Sequence, residues 1–165
     1  SPGVVRAFWR AVASSGSAEA PRARRELLEL ALADADAPRG HDVDPDDGLS
    51  AALEAIAALA DAGEAGPEDL IRVGRLAERN GEPDRALPLY ARALSAGRTL
   101  APIVALPDDR LFALARLLEQ PGEERDLPRA AAIYRFIVDE RPLSGWWDES
   151  QARLEYLQRH YFEIR

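Results

Sequence analysis

Apolar residues return every three or four positions along almost the whole chain, and no run of alternating β-branched residues interrupts them. That spacing is the helical period, so the chain is expected to fold without strands. Gly and Pro set the boundaries. The pattern predicts helices over about 4–13, from about 21, then over 50–62, 67–79, 83–96, 108–119, 127–140 and 146–164. Val4, Val5, Phe8, Trp9 and Val12 form the first stripe, and Ser14-Ser15-Gly16 stops it. Pro21 and Pro67 fall in first turns, where a missing N–H costs nothing. Gly63, Gly97 and Asn80-Gly81 stand where helices end. Pro121-Gly122 and Arg141-Pro142 break the next two.

Two connections are long. Residues 35–48 are rich in Asp, and residues 97–107 are apolar. Loops of this length are functional or packed down as structured segments. The second is too apolar to float in water and is expected to lie against a helix pair.

With 165 residues, a single domain spanning 1–165 is expected, large enough to bury a core. Composition then removes whole classes of chemistry. There is no Cys, hence no disulfide, thiolate nucleophile or thiolate metal ligand. All 21 basic residues are Arg, which excludes a lysine Schiff base and the lysine of a phosphate-binding loop. The net charge of −8 argues against nucleic acid as the main partner, because binding phosphates needs a basic surface. Gly-x-Ser-x-Gly and glycine-rich phosphate loops do not occur, so neither an enzyme nor a cofactor is expected. No apolar run approaches the roughly 20 residues of a membrane span. Absence of Cys suits both a reducing cytoplasm and an oxidising periplasm.

Asp42, Asp44 and Asp46 alternate and are followed by Asp47 and Gly48, close to the calcium loop of an EF-hand. Asp47 displaces the Gly by one place, Glu54 comes one step late, and Pro45 stiffens the segment. The preferred reading is a solvated loop whose charge favours the helix start near Ser50, with no metal site. His41 and His160 have no ligand spacing. Trp146 and Trp147 are adjacent, so both cannot face inward on one helix.

A pattern recurs within the chain. Leu70, Val73, Gly74 and Ala77 share a helix face, Gly81 turns the chain, and Ala86, Tyr90 and Ala93 share the next. The small Gly74 and Ala86 suit close approach of two antiparallel helices, with Tyr90 filling the space beside them. Leu111, Leu114, Ala115 and Leu118, then Ala130, Tyr134, Ile137 and Pro142, repeat the arrangement with a longer turn near Gly122. An earlier pair sets Leu27, Leu30 and Ala31 against Ala52, Ile56 and Leu59.

This spacing resembles the tetratricopeptide repeat across residues 67–142, except that Ala77 stands where the family usually carries a large aromatic. The resemblance implies an all-α fold of antiparallel helix-turn-helix repeats. It has N-terminal helices over 1–66 and a capping helix over 143–165 with Trp147, Leu154, Leu157, Tyr161 and Ile164 inward. Tyr134, Ile137, Pro142, Ser144, Trp146, Asp148, Ala152, Arg153 and Leu157 are similar to a variant common in bacterial envelope proteins, although Arg141 replaces the usual tyrosine before Pro142. On that resemblance the protein is periplasmic or envelope-associated, with a cytoplasmic setting as the alternative. On the same resemblance, the residues expected ahead of Ser1-Pro2-Gly3, which opens without Met, are a signal sequence and a lipidated cysteine.

The resemblance further implies a groove lined by the first helix of each repeat. Spacing places Ile71, Arg72, Arg75, Glu78 and Arg79 there, then Phe112, Arg116 and Glu119, then Arg153 and Tyr156. Arg75, Arg116 and Arg153 fall at equivalent places, and guanidinium groups bind carboxylates bidentately, so an acidic peptide partner is expected. The competing reading pairs these Arg residues with Glu78, Glu119 and Glu149. The expected function is a noncatalytic protein-interaction scaffold. The alternatives are a self-assembling structural protein and a small-ligand or transport accessory.

Overall fold

The computed structural model describes residues 1–37, 45–97 and 99–162, at 2 and 45–47 by backbone alone. Among the described residues the chain is all-α, with no strand and eight α-helices. These are α1 (Pro2–Ser14), α2 (Ala20–Asp36), α3 (Pro45–Asp61), α4 (Pro67–Arg79), α5 (Pro83–Ser95), α6 (Asp108–Glu119), α7 (Leu127–Glu140) and α8 (Trp147–Leu157). A π-helical turn, Gln158–Phe162, follows α8. Helices α4, α6 and α7 keep the ends that Pro, Gly and charge predicted. Two others differ. Helix α3 begins at Pro45 rather than near Ser50, and the last α-helix stops at Leu157. None of the described helices is long and apolar enough to cross a membrane.

The chain divides into two compact units, Ser1–Ala86 and Leu87–Arg165, and α5 spans the division. In the first unit α1 packs on α2, α2 on α3 and α3 on α4. Leu28, Ala31, Leu32, Ala52, Ile56, Leu59, Leu70, Val73 and Leu76 form its core. The expected core face of α2 is therefore rotated. Leu28 and Leu32 are buried, while Leu27 and Leu30 are half-buried, because α2 must serve α1 and α3 on different sides. Gly48 belongs to α3 rather than to a loop, and it sits where α3 comes close to α2. A Cβ there would stand 3.1 Å from both Cα and Cβ of Ala35.

Helix α4 is closed at both ends by local chemistry. Pro67 opens it, and the Asp69 carboxylate accepts the Gly66 N–H at 3.0 Å. At its C-terminus Gly81 takes φ +78°. Gly81 N–H then bonds the Glu78 carbonyl at 3.0 Å and Glu82 N–H the Ala77 carbonyl at 2.9 Å, a Schellman arrangement.

Ion pairs reveal how α2 and α4 run. Arg72 forks onto Glu29 at 2.9 and 3.0 Å, and Arg79 reaches Asp36 at 2.9 Å. Both pairs are 43 residues apart and lie two turns from each other on each helix. Partner numbers that rise together require parallel helices, and α3 returns between them. That helix–return–helix order is consistent with a helical repeat arrangement.

In the second unit α6 packs on α7 and α7 on α8. Leu111, Leu114, Ala115 and Leu118 are buried with Ala130, Ile133, Tyr134 and Ile137, and α8 adds Leu154 and Leu157. Asp126 caps α7 by accepting the Arg129 N–H at 3.0 Å. The Trp147 indole N–H donates to the Val138 carbonyl at 3.0 Å and ties α8 to α7. The apolar 99–107 connection is packed down, with Ile103 and Leu106 buried. Arginines at the two ends of α7 hold its flanks. Arg129 donates to the Gly97 carbonyl at 2.8 Å, and Arg141 to the Val104 carbonyl at 2.9 Å and to Asp108 at 3.2 Å.

Candidate functional site

Helices α6 and α8 repeat the parallel relation of α2 and α4. Phe112 stacks on Trp146 with ring centroids 4.5 Å apart, and Arg153 donates to Glu119 at 3.2 Å. Both pairs are separated by 34 residues. Helix α7 forms the layer behind them, so side chains of α6 and α8 share one face.

A continuous strip of contacts runs along that face. Phe112, half-buried, lies against both Trp146 and Tyr134, the latter 5.7 Å away. The Tyr134 hydroxyl donates to Glu119 at 2.9 Å. Glu119 also accepts from Arg116, one turn earlier on α6, at 3.2 Å. Arg153 covers the Tyr156 ring at 4.6 Å, and Tyr156 stacks on His160 at 4.2 Å.

Electrostatics at the centre of the strip are unbalanced. Glu119 has a side chain only 9% exposed and serves two guanidinium groups and a phenol. Burial lowers the pKa of Arg153, and the like charge of Arg116 lowers it further. Burial also pushes the Tyr134 hydroxyl up to about 12, against the pull of Arg116, so the phenol stays a donor. Two cations against one carboxylate leave one positive charge unmatched at this spot, in a chain of net charge −8.

The sequence-derived residues divide. Phe112, Arg116, Arg153 and Tyr156 are brought together in the second unit. Glu119, the alternative partner for Arg116, does pair with it. Arg153 pairs across helices with Glu119 rather than along its own helix with Glu149. In the first unit, Ile71 is buried, and Arg72 and Arg79 are engaged by α2 carboxylates. Arg75 is exposed and makes no ion pair among the described residues. Tyr161, expected inward, is 50% exposed because α8 gives way to the π-helical turn before reaching it. Ile164, His41, and the side chains of Asp42, Asp44, Asp46 and Asp47 lie outside the described residues. No cluster of three His, Asp or Glu side chains able to hold a metal occurs among the described residues.

Sequence reasoning missed the sharing of Glu119 and the stack of Trp146 on Phe112. Both pairs have the same 34-residue separation, but no pattern within either helix says that α8 lies beside α6. A shallow pocket between α1, α2 and α3, lined by Arg6, Arg10, Leu27, Ala31, Ala51, Glu54, Ala55 and Ala58, measures about 60 Å³. That is room for about two waters and far below the volume of an ordinary small-molecule site. Searches of protein-family models, curated proteins and solved structures found no match to this chain.

Proposed function

We propose that this protein is a noncatalytic interaction scaffold of the tetratricopeptide type that receives an acidic peptide or protein segment on the α6–α8 face. The observation that carries the reading is the pair of guanidinium groups, Arg116 and Arg153, sharing the single carboxylate of Glu119. A carboxylate from a partner balances the remaining charge and relieves the repulsion between the two arginines. Trp146, 37% exposed on its Phe112 stack, and Tyr156, 39% exposed, offer apolar anchors on either side. Arg, Trp and Tyr are the residue types that dominate binding energy at interfaces. The family reading rests on the repeated helix faces of residues 67–142. The envelope setting rests on the resemblance of residues 134–157 to envelope repeat proteins.

The test is fluorescence anisotropy with labelled peptides that end in acidic residues beside an aromatic one, set against the same peptides with Lys in place of the acids. The native chain is expected to prefer the acidic series, and the preference should weaken as salt rises. Arg116→Gln and Trp146→Ala are each expected to weaken binding by about tenfold. Equal binding of both series, or unchanged affinity in both variants, overturns the proposal.

Self-association is the second reading. Tyr161 and Phe162, 50% and 39% exposed at the C-terminal turn, favour it, and a solution mass that rises with concentration is its test.

A further inference from the structure

Helix α1 is built inside out on its free side. A helix packed on a protein surface ordinarily turns polar residues to water. Here the exposed row is Val4, Ala7, Phe8 and Ala11, at helical spacing of three and four, with Val5 beside it. Val4 is 68% and Phe8 57% exposed. Trp9, Val12 and Ala13 occupy the half-buried side towards α2, so the helix has used its packing face elsewhere and still presents an apolar one.

The charges carried by α1 itself have one sign, and the acidic groups near them belong to other segments. Helix α1 carries Arg6 and Arg10 and no acidic residue. Arg22, at the start of α2, lies 5.9 Å from the Trp9 ring with its side chain 69% exposed. Arg6 is paired with Asp34, and Arg22 stands 4.0 Å from Glu19. Arg10 is exposed and has no ion pair among the described residues, although Glu54 lines the same pocket.

We propose that α1 is a membrane-surface contact, lying in the interface of an anionic bilayer with Val4, Phe8 and Ala11 turned into the acyl boundary and Arg10 and Arg22 at the phosphates. A convex apolar ridge flanked by arginines and aromatic rings is the form that interfacial helices take. A fluid lipid surface closes around a ridge, whereas a rigid partner needs a matching groove. The negative net charge of the whole chain does not prevent this. Its field falls away over a Debye length of about 8 Å at physiological salt, which is less than the thickness of one helix at about 10–12 Å. The charges on α1 therefore dominate what the lipid meets.

The experiment is co-sedimentation of the full chain with vesicles of phosphatidylcholine alone and of equal parts phosphatidylcholine and phosphatidylglycerol. The native chain is expected to pellet with the mixed vesicles and to remain in solution with the neutral ones. A double variant, Val4→Ser with Phe8→Ser, should lower partition by about tenfold or more with unchanged helicity. Arg10→Gln should lower it by about fivefold. Binding should shift tryptophan emission to the blue, and Trp9→Phe should remove that shift while Trp146→Phe keeps it. No partition into mixed vesicles, or equal partition by the native chain and the double variant, overturns the proposal. If the native chain ignores lipid but self-associates, and the double variant does not, the ridge belongs to a second copy and the lipid reading falls.

Discussion

Glu119 on α6 accepts Arg153 of α8 at 3.2 Å while also holding Arg116 of its own helix at 3.2 Å. One nearly buried carboxylate thus ties two parallel helices together and screens two cations from each other. Replacing it has an asymmetric consequence. Glu119→Gln keeps an oxygen for the Tyr134 hydroxyl but leaves Arg116 and Arg153 facing each other, at an expected cost of about 2 kcal/mol. Arg116→Gln should cost less than about 1 kcal/mol, because that side chain is 39% exposed and its ion pair is partly screened by water. Urea unfolding of the two variants measures the difference.

Tyr134 reports on the same cluster from beneath. Its hydroxyl is pushed up to about 12, mainly by burial. An acid group with a raised folded value leaves stability intact below the ordinary tyrosine value of about 10 and removes it as pH climbs towards the folded one. Stability is therefore expected to fall between about pH 10 and pH 12. Tyr134→Phe should flatten part of that fall, and a phenolate absorbance titration should lose a late component.

The first unit should be sensitive at the opposite end. Glu29 is held below the usual carboxylate range by Arg72, and Glu64 by Arg24 at 2.5 and 2.9 Å. Burial raises Asp69, but Arg25 at 2.6 Å and the Gly66 N–H outweigh it, and its value is also lowered. Carboxylates depressed in the folded state contribute stability above their unfolded values, near pH 4, and lose it as pH falls through the folded ones. Denaturant midpoints are expected to drop progressively below about pH 4. Asp69→Asn should reduce that dependence, because this carboxylate serves both Arg25 and the start of α4.

Gly48 tests the packing of α2 on α3. Ala35 already stands in contact distance of an added Cβ, so the branched side chain of Gly48→Val has no room without separating the helices. A cost of about 1–3 kcal/mol is expected, read as a lower thermal midpoint. Gly97→Ala, at a site with nothing within 4 Å, is the control and should be nearly neutral.

Much of this architecture was legible in the residues themselves. Pro67, Asn80-Gly81, Pro121-Gly122 and the three-and-four spacing of Leu111, Leu114, Ala115 and Leu118 specify helix ends and faces by local chemistry, because N–H groups, positive φ and amphipathic stripes are properties of short segments. Placement of Phe112, Arg116 and Arg153 on one surface came instead from the resemblance to a helical repeat, which implies that such helices line one groove. Tertiary packing alone assigned the rest. Leu28 and Leu32 replaced Leu27 and Leu30 in the core because α2 has neighbours on two sides. Arg72 and Arg79 turned to Glu29 and Asp36 because parallel helices set them opposite. Glu119 came to serve two arginines because α8 returned 34 residues later along the same face, and periodicity within one helix carries no information about which helix lies beside it.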